Sequence, residues 1–512
     1  MSVGHCKAGH AGGGIFINGS GASAELKGNC SVRHNKAGTK GSGIYVGDGC
    51  TITIGGKAII EDNTGSNLYT IKGSKVIVDP GLNNDSKIGV TQEEQGREKF
   101  AEFNKESSDP AETAKCFKND TDNSRVQYQK LNGTFWFVFD YINDQGNTVY
   151  ARQYQLMDKI AGNGKDGWLD LNDSEEFYFV RKDTVINDQI RILADVSYGR
   201  RTIILCDGAT LTCNEGIIVK PGATLNIFAQ KKGDMGGAGK LIAKGGKFYA
   251  GIGGANEEGF GTVQIYGGNI QATGGASAAG IGSAYKGKTG TVNIYGGNIT
   301  AAGGNYGAGI GCGELSANIN VNIAGGIVNA TGGDSGAGIG SGRIPPLSGK
   351  ISPQGKITIS GGTVTAKGGE DGAGIGGGHH VDAENVIEIT GGKVTATGVK
   401  GAAGVGSESK FYGQFKMTGG ELTAYGPKGY PAIGGTNDAS DKISLGDDIS
   451  VKANGNYALL SERVAKCQTK GESSAQSVVT VSKCTHKITY TVDPKDTSKH
   501  IKKCAFIISS LE

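Results

Sequence analysis

The sequence predicts an all-β fold: a right-handed parallel β-helix, a solenoid of 29-residue coils, with a small inserted α+β or β domain. Three observations predict it. The first is a repeat. Ala-Gly-Ile-Gly occurs at 250–253, 279–282, 308–311 and 337–340, so Gly251, Gly280, Gly309 and Gly338 lie 29 residues apart. It returns at 373–376 after a step of 36, as Ala-Gly-Val-Gly at 403–406 after a step of 30, and as Ala-Ile-Gly at 432–434. A fixed period of this length means stacked copies of one supersecondary unit. The second is alternation: Thr262-Val263-Gln264-Ile265-Tyr266 and Asn269-Ile270-Gln271-Ala272 recur in each copy, with Val, Ile and Ala on one face and polar residues on the other. The third is the corner between them, Gly267-Gly268, Gly296-Gly297, Gly325-Gly326, Gly361-Gly362, Gly391-Gly392 and Gly419-Gly420, where paired glycines permit a sharp bend. No helical pattern separates the strands, so each coil must pair with the next. The right hand follows from the crossover rule for parallel strands. Ile252, Ile281, Ile310, Ile339, Ile375, Val405 and Ile433 are expected to form one inner ladder.

Taken in order, residues 1–90 read as N-terminal β-helix coils. Ile15 and Ile44 are 29 apart, as are His5 and His34, and Ala8 and Ala37. Residues 91–176 read as an inserted or linker domain. Gln92 to Phe103 has helical composition, followed by strand-like runs at 126–128, 135–139 and 148–150, and both tryptophans, Trp136 and Trp168, fall here. Residues 177–435 read as the main parallel β-helix, entered through Ile203-Ile204-Leu205 and Ile217-Ile218-Val219. Residues 436–512 read as a C-terminal β tail with a possible Cys/His metal module. The chain is expected to be a piece of a longer protein that opens in mid-repeat, with Met1 an added start and Leu511-Glu512 an added end.

Composition supports order and excludes some functions. The chain of 512 residues holds 91 Gly, about 18% against an average near 7%. Only 9 Pro and the strict alternation argue against disorder. A net charge of +3 implies no nucleic-acid partner, and no apolar run is long enough for a membrane helix. Ten Cys do not form a dense disulfide framework, and most are expected to be buried free thiols. The many G-x-G patterns arise from the repeat and carry no strand–loop–helix unit for nucleotides.

Two resemblances follow from these residues. Gly12-Gly13-Gly14-Ile15-Phe16 with His34-Asn35-Lys36-Ala37-Gly38 resembles the GG-x-I and F-x-x-N type repeats of polymorphic outer membrane proteins, without the aromatic residue before x-x-Asn. Residues 205–212, Leu-Cys-Asp-Gly-Ala-Thr-Leu-Thr, with the Ala-Gly-Ile-Gly array are similar to Gly-rich β-helix repeats in surface proteins of anaerobic gut-type bacteria, of the adhesin-like and carbohydrate-binding kind. The resemblance implies an extracellular protein, secreted or at the cell surface, and carries over no catalytic residue set.

Chemistry is expected in the loops around each Ala-Gly-Ile-Gly, which vary while the rest repeats. A repeat scaffold aligns such loops along one edge. Tyr285, Tyr306, Arg343, His379, His380, Asp382, Glu384, Phe411 and Tyr412 are the candidate ligand-binding residues, because aromatic rings stack on sugar rings and charges bind polar groups. The alternative is a row of solvated loop tips. The step of 36 brings Arg343 towards His379, His380, Asp382 and Glu384, a set that could serve a β-helix lyase or, with two carboxylates at suitable separation, a glycosidase. Asp334 with Glu370 and Asp371 could hold calcium through oxygen ligands. Cys484, His486, His500 and Cys504 are four zinc-capable ligands in the tail, with a Cys484–Cys504 disulfide or unpaired thiols as alternatives. Gly162 to Gly167 has the residues of a calcium loop but not its spacing and reads as a turn. No cofactor is required by this pattern. The expected function is a non-catalytic β-helical adhesin or stalk whose partner is a polysaccharide or host glycoprotein, with no nucleic acid and no membrane insertion. The alternative is a polysaccharide lyase or glycoside hydrolase using Arg343, His379, His380, Asp382 and Glu384.

Overall fold

The structure, a computed structural model, describes residues 1–93, 99–105, 109–121, 124–130, 132–151, 154–171, 176–194, 200–230, 238–345, 355–381, 384–408, 413–427, 430–435, 442–445, 449–454, 478–482 and 487–489. It is nearly all β, with two short helices, Pro110–Lys115 and Met157–Ile160, among the described residues. The chain forms two compact units, residues 1–156 and 157–512.

In the first unit, parallel strands stack in register. Ser2–Gly4 pairs with Asn29–Arg33, Ile15–Ile17 with Ile44–Val46, and Ser23–Leu26 with Thr51–Ile60. Parallel pairing continues past residue 90, because Lys75–Leu82 pairs with Ala101–Phe103 and Lys87–Gln92 with Phe117–Asn119. The helix expected from Gln92 to Phe103 is not what the described residues there form: Ala101–Phe103 is a strand. Phe100 is buried against Phe117 and Phe137, and tertiary pairing overrides the local helical composition. The helix lies later, at Pro110–Lys115, where the Asp109 side chain accepts from the Glu112 amide and Pro110 opens the first turn. The strand-like aromatic runs form an antiparallel sheet of Arg125–Gln129, Thr134–Ile142 and Thr148–Ala151.

One corner of this unit is held by side-chain amides. The Asn35 carbonyl accepts from the Cys6 amide, Asn63 accepts from the Asn35 amide, and Asn67 from the Asn63 amide, each at 3.0 Å. Asp120 ends the series, accepting from both the backbone and side chain of Asn67 at 2.8 Å. Burial pushes the Asp120 carboxyl above its ordinary range, against the pull of the Asn67 hydrogen bonds. Cys6 stands one coil before Asn35 and cannot extend the ladder.

In the second unit each coil contributes three strands. The described residues form three ladders of ten parallel strands: Trp168–Asp170 to Ile433–Gly434, Phe177–Val180 to Lys442–Leu445, and Thr184–Ile186 to Ile449–Asn454. The last ladder continues antiparallel through Val478–Ser482 and Lys487–Thr489. Stacked coils thus begin at Trp168, ahead of Phe177. Ile252, Ile281, Ile310, Ile339, Ile375, Val405 and Ile433 pair in one unbroken register and are at most 1% exposed. Burial of each such side chain contributes roughly 1.5–3 kcal/mol. The glycine after each ladder residue has φ between 114° and 140°. An added Cβ at Gly311 would sit 2.2 Å from the Gly340 carbonyl oxygen, so this corner admits only glycine.

Among the described residues no disulfide forms: Cys30, Cys50, Cys116, Cys206, Cys213 and Cys312 are buried, and Cys6 is exposed. Burial pushes the Cys312 thiol up to about 12 and raises Cys213 further. Gly162 to Gly167 is the turn expected: Lys165 and Trp168 exchange backbone hydrogen bonds at 2.8 and 3.0 Å across Asp166 and Gly167, both at positive φ.

Candidate functional site

The loops of the second unit do align along one edge. The amides of Glu257, Lys286, Leu315 and Ile344 donate to the carbonyls of Tyr285, Glu314, Arg343 and His379 in the next coil, at 2.7–3.2 Å. Glu257, Lys286 and Leu315 have φ of 59°, 51° and 56°, and His380 of 59°. The loops at Glu257, Lys286, Leu315 and His380 therefore turn in the same way, and the coil-to-coil hydrogen bonds place Tyr285, Glu314, Arg343 and His379 in one row. A second row lies beside it. The amides of Glu314, Arg343 and His379 donate to the carbonyls of Ser277, Tyr306 and Ser335 at 2.8–2.9 Å.

The side chains on these rows interact from coil to coil. Tyr285 packs against Phe248 with ring centroids 5.7 Å apart, and the Lys286 ammonium lies 5.0 Å from the Tyr285 ring. The Arg343 guanidinium lies 4.8 Å from the Tyr306 ring centroid and 3.6 Å from Glu314 Oε1. Glu314 is buried, and its other oxygen accepts from the Ser277 hydroxyl at 2.8 Å. Arg343 thus turns to the preceding coil, and its side chain meets Glu314 rather than the histidines. Its backbone neighbour Ile344 reaches the following coil, its amide donating to the His379 carbonyl at 3.2 Å.

His379 and His380 are side by side, with ring centroids 3.6 Å apart. His379 Nδ1 lies 3.0 Å from Glu408 Oε2 and 3.7 Å from Asp371 Oδ2. The His380 amide donates to Glu408 Oε2 at 2.9 Å. The carboxylate thus takes the place filled by a backbone carbonyl in the four preceding coils. One ligand atom each from His379, His380 and Glu408 lie within 4.8 Å of one another. Glu408, not Glu384, is the carboxylate in this group. Glu384 is half-buried just before the strand Val386–Ile389. Glu370 pairs with Lys400 at 2.5 Å, and the Asp371 amide donates to the Asp334 carbonyl at 3.3 Å. Asp382, Phe411 and Tyr412, and the tail ligands Cys484, His486, His500 and Cys504, lie outside the described residues.

Glu314, Asp371 and Glu408 complete the edge, and the sequence carried a signal for each. Tyr285, Glu314 and Arg343 are 29 apart, as are His379 and Glu408, and Asp371 is 36 beyond Ser335. Two other features were less legible. Phe228, Tyr266 and Tyr295 stack at 4.3 and 4.7 Å on another corner. A cavity of about 380 Å³ is lined by Trp168, Arg191, Asp170 and Tyr178. Its Arg191 lies 4.4 Å from the Trp168 ring centroid and pairs with Asp170 at 2.5 Å.

The outward polar row also stands in register, from Gln271 through Thr300, Asn329, Thr365 and Thr395 to Thr423. No helix among the described residues is long and apolar enough to cross a membrane.

The beta helix repeat family matches five stretches, residues 263–285, 292–314, 321–343, 357–379 and 387–407. The first four end on Tyr285, Glu314, Arg343 and His379, so the matched unit runs from an inner strand to the edge row. No curated protein and no solved structure matches the chain. The stacked parallel coils form a β-solenoid, and residues 263–407 of it carry the beta helix repeat.

Proposed function

We propose that this protein is a non-catalytic adhesin or stalk, secreted or at the cell surface, and that the loop edge of its second unit binds an extended glycan or the glycan of a host glycoprotein. The carrying observation is the row of Tyr285, Glu314, Arg343 and His379, one residue per coil, with Phe248 and Tyr306 beside it. Parallel coils repeat every ~4.8 Å, a spacing suited to a polymer lying along the edge. Tyr285, Tyr306 and Arg343 are half-buried, which orients their rings and guanidinium while leaving area for contact. Phe411 and Tyr412 remain candidate glycan contacts, and zinc at Cys484, His486, His500 and Cys504 or calcium at Asp334, Glu370 and Asp371 would serve stability rather than chemistry.

A glycan array probed with the intact chain tests the proposal. Binding to a polysaccharide without its cleavage is expected. Silence on the array would leave a spacer, and turnover of a bound polymer would establish the lyase or hydrolase alternative.

A further inference from the structure

We infer that His379, His380 and Glu408 form a binding site for a zinc-class divalent cation that ties two successive coils together. The inference does not depend on glycan binding, because it is measured without any sugar.

Three observations carry it. The first is convergence: two imidazoles and one carboxylate offer ligand atoms within 4.8 Å of one another. Two atoms bound to one zinc ion at about 2.0–2.1 Å lie about 3–3.4 Å apart. His379 Nδ1 and Glu408 Oε2 are 3.0 Å apart.

The second is direction. His379 Nδ1 is buried, yet it makes no hydrogen bond, although Glu408 Oε2 is at ion-pair distance. A buried ring nitrogen that lacks a hydrogen bond but stands 3.0 Å from a carboxylate oxygen is completed by a cation shared between the two.

The third is rigidity. The His379 backbone is held on both sides, its amide by the Ser335 carbonyl at 2.9 Å and its carbonyl by the Ile344 amide at 3.2 Å. The His380 amide orients the Glu408 carboxylate at 2.9 Å, and a carboxylate has acceptor positions to spare for a metal. Asp371, with Oδ2 3.7 Å from His379 Nδ1, adds a second carboxylate at the rim.

The donor set selects the ion. Imidazole nitrogens with one carboxylate suit zinc and neighbouring transition metals, whereas calcium and magnesium take oxygen ligands. Three protein ligands also leave a coordination position open to water or to a ligand's oxygen.

The test is zinc and cobalt titration of the full chain with Cys484→Ser and Cys504→Ser, so that tail thiols do not contribute. One equivalent of zinc is expected, with a cobalt spectrum that lacks thiolate charge-transfer bands. Glu408→Gln keeps the acceptor for the His380 amide but loses the charge. His379→Gln removes one imidazole, and His380→Asn removes the other while tolerating the positive φ. Each is expected to weaken zinc at least roughly tenfold, since even outer-shell changes at metal sites cost about 10–100-fold. Zinc should raise the unfolding temperature of the parent and not of these variants. Failure of the parent to take up zinc, or equal affinity in all three variants, would overturn the site.

Discussion

In residues 1–156 one corner between coils is held by side-chain amides, whereas in residues 157–512 the corner that follows the inner Ile ladder is held by bare backbone. The Asn35, Asn63 and Asn67 ladder satisfies the amides of successive coils and ends on Asp120. In the second unit, glycines at φ of 114–140° bring the backbone of successive coils too close for any side chain. The difference has a functional consequence. A corner built from Asn side chains commits those positions to structure. A corner built from Gly leaves the neighbouring loop positions free to differ, and Tyr285, Glu314, Arg343, His379 and Glu408 do differ.

The largest expected effect comes from breaking the glycine corner. Gly311→Ala places a Cβ 2.2 Å from a backbone oxygen at φ 130°, and should cost the second unit roughly 4 kcal/mol or more. The two tryptophans allow each unit to be followed alone, with Trp136 in the first and Trp168 in the second. Denaturant unfolding of the Trp136→Phe chain should show the loss, and the Trp168→Phe chain should not. Equal losses at both probes would mean that the corners are not independent devices.

A smaller effect is expected at the amide corner. Asn63→Ala leaves the Asn35 amide and the Val32 carbonyl without their partner, at a cost of about 1–3 kcal/mol to the first unit. An unchanged Trp136 transition would refute the structural role of the ladder.

The smallest effect sharpens the account of how the second unit begins. Asp158 is 5% exposed and pairs with Arg181 and Lys182, each at 3.1 Å. Burial disfavours its charge, but the hydrogen bonds and charges of Arg181 and Lys182 outweigh burial and hold the carboxyl below its ordinary value. Its contribution is therefore complete above the unfolded value near 4 and is lost as pH falls through the lower folded value. Asp158→Asn should cost about 1 kcal/mol at neutral pH and flatten the acid limb of the stability profile. An acid limb identical to that of the parent would contradict this assignment.

Much of the scaffold is legible in the sequence because glycine and alternation are local signals. The spacing of Gly251, Gly280 and Gly309 alone places Ile252, Ile281 and Ile310 on one inner ladder. Residues 92–103 are less legible, since what decides Ala101–Phe103 is pairing with Ile77 and Val78 and the burial of Phe100, neither of which is local. At the edge, the period shows which positions share a row but not which way a long side chain turns. Arg343 reaches back to Glu314 and Tyr306 because a buried carboxylate and an aromatic face there offer it more than the histidines ahead. Glu408 meets His379 across a coil boundary. A search by sequence proximity favours Glu384, whereas counting 29 residues forward from His379 finds Glu408.

The central claim is that the variable edge released by the glycine corner is a binding surface. The most direct test titrates a polysaccharide identified on the array against the intact chain and against the Tyr285→Ala/Tyr306→Ala chain, with unfolding measured on both. The account predicts intact folding and a loss of affinity of roughly tenfold or more, as expected for removing aromatic anchors from a contact. Equal affinity of the two chains would contradict it and move the binding surface away from this edge.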